Sequence, residues 1–74
     1  MKTMDKCLLK SFGQKIKKLR QDKKLSQEAF AEIVGVHRTY IGMIERGEKN
    51  ITLENINKLA IAFNISLSEL FKNL

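Results

Sequence analysis

Apolar residues recur along the chain at three- and four-residue steps, and no period-two alternation of the kind a half-buried strand shows persists anywhere. Leu8 or Leu9, Phe12, Ile16 and Leu19, with lysines between them, predict a long first helix that fades around Asp22 to Lys24. Ser26 stands where an N-cap is needed, its hydroxyl able to accept from an unpaired backbone N–H. A short second helix then runs from Gln27 to Val34, and Gly35 stops it because glycine adopts the left-handed C-terminal conformation. Val36 and His37 lead into a third helix, Arg38 to Arg46, ended by Gly47. Thr52 caps a fourth, whose apolar face is Leu53, Ile56, Leu59, Ala60 and Phe63, with Asn64 as its stop. Ser66 and Glu69 have the spacing of a capping box and open a fifth helix through Leu70 and Phe71. The pattern predicts an all-α fold of five helices. With no repeat and no linker, it is read as one domain over residues 1–74, residues 1–6 forming a flexible N-terminal arm.

The length of 74 residues suits one small domain, which buries only about 60% of its unfolded surface. A single cysteine, Cys7, forms no internal disulfide and fits a reducing, cytoplasmic setting. The longest apolar run, Leu59 to Phe63, is far short of a membrane span, and no signal peptide is expected from the opening residues. Net charge is +6, and its distribution is more informative than its total. Residues 1–24 hold nine basic side chains against two acidic ones, whereas the rest of the chain is close to neutral. Such an excess marks either a solvated face or attraction to a polyanion, and charge by itself does not choose. One histidine and scattered carboxylates lack a nucleophile–base grouping or metal-ligand spacing, so neither an enzyme, a metal site nor a cofactor is expected.

The informative stretch is Gln27 to Arg46. A helix-turn-helix needs a small residue where its second helix crosses its first, a positive-φ residue in the turn, and two aliphatic residues three apart beyond it. Ala31, Gly35, Ile41 and Ile44 meet these needs at the required spacing. An ordinary helical hairpin is the competing reading. The basic first helix and the polar outer face of the third, with Arg38, Thr39, Tyr40 and Met43 near its start, favour DNA.

The run LSQEAFAEIVGVHRTYIGMIERGEKNITLENINKLAIAFNISLSELF resembles the λ-repressor-like, Xre-type helix-turn-helix family over about residues 12–72. Within it, HRTYIGMIERGEKNIT is similar to the controller proteins of restriction–modification systems, small homodimers that bind operator DNA beside their own promoter. The resemblance implies base contacts from Arg38, Thr39, Tyr40 and Met43, with arginine the commonest reader of guanine O6 and N7. It implies phosphate contacts from Gln27, Arg46, Lys49 and Asn50, and a structural ion pair between Arg20 and Glu45. Gly42 and Met43 depart from the controller group's usual order on the groove-facing side. Arg20 as a phosphate ligand, Tyr40 as a core residue and His37 as a pH sensor are the alternatives weighed against these roles; His37 is read as a local cap. Lys15, Lys17, Lys18, Lys23 and Lys24 are read as solvated side chains whose pooled field steers encounter with DNA.

A single helix-turn-helix reads too few base pairs to discriminate against a genome, so two copies about a two-fold axis are expected on a pseudo-palindromic operator. Leu70 should point inward, and Ile65, Leu67, Phe71 and Leu74 should form the dimer interface. RNA polymerase is a candidate further partner. The alternative function is an antitoxin or adaptor whose main partner is another protein. A third reading, helix one lying on lipid, conflicts with the need for Phe12, Ile16 and Leu19 in the core.

Overall fold

The computed structural model describes residues 6–74, so all but Lys6 of the expected arm lies outside the described residues, and Lys6 opens the first helix. Five helices follow in order: α1 (Lys6–Asp22), α2 (Gln27–Val34), α3 (Arg38–Glu45), α4 (Leu53–Phe63) and α5 (Leu67–Phe71), with no strand among the described residues. Their bounds are set by local chemistry. Ser26 Oγ accepts from the Ala29 N–H at 3.0 Å, Thr52 Oγ1 from Asn55 at 3.2 Å and Ser66 Oγ from Glu69 at 3.0 Å. His37 acts likewise at the head of α3, where its Nδ1 accepts from the Thr39 N–H at 3.0 Å. Gly35 and Asn64 stand in the left-handed conformation at the ends of α2 and α4. No described helix is long and apolar enough to cross a membrane.

One core joins all five helices. Phe12 and Ile16 from α1, Phe30 and Ala31 from α2, Ile41 and Ile44 from α3, Ile56, Leu59, Ala60 and Phe63 from α4, and Leu70 from α5 are all buried. Phe30 stacks on Phe63 with ring centroids 4.6 Å apart, and Phe12 stacks on Phe71 at 5.4 Å. Phe71 and Ile65, expected at a dimer interface, are partly buried against the monomer's own core. Leu53 corrects an expectation. It lies one turn before Ile56, beyond the core's edge, and is 72% exposed.

The five-residue α5 is too short to persist alone and is fastened from outside. Lys15 Nζ donates to the carbonyls of Glu69 at 2.8 Å and Lys72 at 2.7 Å, placing a cation at the negative end of that helix. Lys15 is thus a cap, not one of the freely solvated lysines. Leu74 shares a surface cleft with Leu19 and Lys18 of α1. Of the four residues expected at a dimer interface, only Leu67 and Leu74 remain substantially exposed, at 37% and 40%. Ile61, not expected there, is 69% exposed on α4.

Periodicity did not reveal how closely α1 approaches α3. A Cβ on Gly13 would collide with the carbonyl oxygen of Ile44 and lie 2.8 Å from that of Glu45, both backbone atoms that cannot swing away. The last turn of α3 therefore rests directly on the backbone of α1. Gly13→Ala should lower stability by about 1–3 kcal/mol despite alanine's better helix propensity, seen as a reduced urea midpoint at unchanged slope.

Candidate nucleic-acid interface

The contact between α1 and α3 carries the most elaborate polar network among the described residues. Arg20 presents a fork to Glu45: Nε donates to Oε2 at 2.7 Å and Nη2 to Oε1 at 3.1 Å. Its remaining nitrogen, Nη1, donates to the Leu25 carbonyl at 2.7 Å, between α1 and α2. Gln27 Nε2, on the first turn of α2, donates to Glu45 Oε1 at 3.0 Å. Three helices thus converge on one carboxylate. The side chains of Arg20 and Glu45 are only 11% and 3% exposed, and no buried side-chain polar atom among the described residues is left without a partner. The hydrogen bond to Glu45 holds the Arg20 guanidinium pKa above its ordinary value; burial opposes this and the carboxylate's charge reinforces it.

With its last turn pinned, α3 projects its first turn outward. Arg38 and Thr39 are exposed, while Ile41 and Ile44 fill the opposite side. Tyr40 and Met43 are half-buried. The ring of Tyr40 packs against the core, because at 100° per residue it stands only about 40° from the bearing of Ile44. Its hydroxyl accepts from Asn55 Nδ2 at 2.9 Å, tying α3 to the first turn of α4 and leaving the phenolic hydrogen able to donate outward. The outer-face placement expected for Tyr40 is therefore corrected to the face's edge. Gly42 is buried, and a Cβ there would meet Arg46 Nη1 at 3.1 Å and Gln27 Oε1 at 3.6 Å, so it is not groove-facing. One N–H of the half-buried Gln27 amide is donated inward, and its second amide hydrogen and the backbone N–H groups of α2's first turn remain as further donors.

Residues 16–70 match a helix-turn-helix family. The chain belongs to that family. It is a DNA-binding transcription regulator. The chain is 47% identical over 64 residues to the control protein C.MunI of a Mycoplasma species, a match spanning 85% of this chain and 86% of that one. With the control protein C.SmaI of Serratia marcescens the identity is 47% over 58 residues, covering 78% and 69%. The crystal structure of the restriction–modification controller protein C.AhdI from Aeromonas hydrophila superposes with a TM-score of 0.80 at 48% identity, covering 84% of this chain and 94% of that one.

In this helix-turn-helix domain, the segment after α3 is exposed and charged. Arg46 Nε donates to Glu48 Oε2 at 2.9 Å, a contact that raises the Arg46 pKa, and Lys49 and Asn50 follow on the surface. Gly47, at φ +72°, brings the segment against Lys10 of α1. Lys6 and Lys10 consequently share a cleft with Arg46 and Asn50, two cations the sequence reading did not assign to the site. The signal that finds them is Gly47, which allows the close approach to α1.

Removing one member of the buried pair should be costly. Glu45→Leu leaves the Arg20 charge unpaired and should cost about 3–5 kcal/mol, whereas Arg20→Met with Glu45→Leu should recover most of it. Urea titrations of the three proteins check this. A guanidinium with raised pKa contributes stability that is fully present below arginine's ordinary value and is lost only as pH rises through the higher folded value. The Arg20 contribution should therefore stay flat across the neutral range.

Proposed function

We propose that this chain is a homodimeric operator-binding regulator of the restriction–modification controller type, reading a pseudo-palindromic site through the first turn of α3. The observation carrying this is the placement of Arg38 and Thr39, exposed at the outward end of a helix whose other end is pinned by the Arg20–Glu45 fork. A short rod held at its base and bare at its tip suits entry into a major groove. Similarity to C.MunI, C.SmaI and C.AhdI over most of each chain supports the controller assignment.

Roles follow from reach. Arg38 reads a guanine edge, Thr39 and Met43 contact neighbouring bases, and Tyr40 donates its hydroxyl hydrogen from the margin of the helix. Arg46, Lys49 and Asn50 hold the backbone on one side, joined by Lys6 and Lys10 in the same cleft. At the head of α2, backbone N–H groups and the second amide hydrogen of Gln27 take the phosphate role. Dimerisation uses the exposed Ile61 and Leu67 near the α4–α5 junction, and RNA polymerase is a further partner once the dimer is seated. The family is one of regulators, and no catalytic role is assigned.

Selection of bound duplexes from a random pool tests the reading directly, and a two-fold symmetric consensus is expected. Arg38→Ala should then weaken binding to the selected duplex by about 1–3 kcal/mol while leaving binding to a scrambled duplex nearly unchanged. Equal losses on both duplexes would remove Arg38 as a base reader. Failure to enrich any sequence, with a second protein co-purifying instead, would favour the antitoxin or adaptor reading. For the dimer, Ile61→Lys with Leu67→Lys should shift sedimentation to the monomer without lowering helix content, since both side chains are exposed.

A further inference from the structure

Both arginines placed at the DNA-facing surface are held by a carboxylate of their own chain. Arg38 Nη1 lies 3.4 Å from Glu28 Oε2, across the turn between α3 and α2. Arg46 Nε lies 2.9 Å from Glu48 Oε2. All four side chains are more than half exposed, so neither pair is needed to neutralise a buried charge. Exposed pairs of this kind are weak, and a strong competing acceptor displaces them readily.

We infer that Glu28 restrains Arg38: Arg38 leaves the carboxylate for a guanine edge but not for an arbitrary backbone, so that its base contact is made against the cost of breaking this pair. This rests on Arg38 being the base reader. A guanine offers O6 and N7 to two parallel guanidinium bonds, a bidentate geometry the single 3.4 Å contact to Glu28 does not match. A phosphate beside a non-cognate sequence offers charge without base complementarity, and Glu28 offers the same charge without requiring any DNA. On a wrong sequence Arg38 therefore stays with Glu28 and adds nothing to counterion release. Glu48 stands in a different position. Its partner Arg46 faces phosphates, which every duplex supplies, so Glu48 lowers affinity for all sequences alike.

Two substitutions with the same change in charge consequently have different outcomes. Glu28→Gln removes the pair that Arg38 must break to reach a guanine, so it should tighten binding to the selected duplex about two- to fivefold and binding to a scrambled duplex by less, raising the specificity ratio. It should also steepen the dependence of scrambled-duplex affinity on salt by about one phosphate contact. Glu48→Gln should tighten both duplexes by the same factor and preserve the ratio. Glu32→Gln, one turn beyond Glu28 on α2 and in no ion pair with Arg38, reports the effect of charge alone. Fluorescence anisotropy on both duplexes, across a salt series, reads all of these. If Glu28→Gln behaves like Glu32→Gln while Arg38→Ala remains selective for the scrambled-versus-selected difference, the inference fails and the base-reading role stands. If Arg38→Ala weakens both duplexes equally, the role of Arg38 and the inference fall together.

Discussion

The pairing of Arg20 with Glu45 is the constraint from which the rest of the domain takes its geometry. Removing two charges from water costs several kcal/mol per ion, and a buried pair offsets this only when its remaining hydrogen-bonding capacity is filled. Here Arg20 uses Nε, Nη1 and Nη2, and Glu45 accepts from both Arg20 and Gln27. Two well-packed apolar side chains would hold α1 and α3 together as firmly. What they would lack is direction. A planar guanidinium facing a planar carboxylate sets the rotation of α3 about its own axis, which is the coordinate that aims Arg38 and Thr39. Gly13 acts at the same place, letting the backbone of α1 meet the last carbonyls of α3 with no side chain between them.

That arrangement also decides what the basic first third of the chain does. Composition presents its lysines as one positive field, yet the fold divides them. Lys15 is used inside the monomer as a cap on α5, and Lys6 and Lys10 adjoin the segment after α3. Lys17, Lys18, Lys23 and Lys24 stay on the exposed surface of α1 and beyond its end, where Lys18 meets Asp22 at 3.9 Å. An exposed i,i+4 pair of this sort contributes little to stability. The positive charge of the first third is thus divided among several roles, and the exposed arginines of and after α3 lie beside carboxylates. Attraction to any duplex is correspondingly tempered by neighbouring negative charge.

Local chemistry made the helices readable in advance. Ser26, Thr52 and Ser66 announce helix starts because a capping hydroxyl reaches a backbone N–H only three residues away, and Gly35 and Asn64 announce stops because few residues tolerate positive φ. The pinning pair was legible only through resemblance, since nothing near Arg20 in sequence points to Glu45, 25 residues on. Contacts between distant segments account for the misplacements. Tyr40 looked outward because Ile41 and Ile44 already supplied a buried side, and only the position of Asn55 on α4 shows why its ring sits at the edge. The brace that Gln27 gives Glu45 was hidden because the carboxylate it binds belongs to another helix. Leu53 satisfied the apolar period of α4 yet falls past the end of the surface it would cover.

The same division between local and distant causes bears on how a dimer would read DNA. α5 is anchored in the core by buried Leu70 and tied to α1 by the Phe12–Phe71 stack and by Lys15. α3 is fixed to that same helix by Gly13 and the Arg20 fork. The exposed apolar residues near the α4–α5 junction and the exposed tip of α3 are therefore referred to one common element. In the proposed dimer the distance between the two tips is then set by the core, because among the described residues no linker separates α3 from α5. Half-site spacing becomes a property of α1 packing, and a change in the core that tilts α3 would be read as a change in operator preference before it was read as a loss of fold.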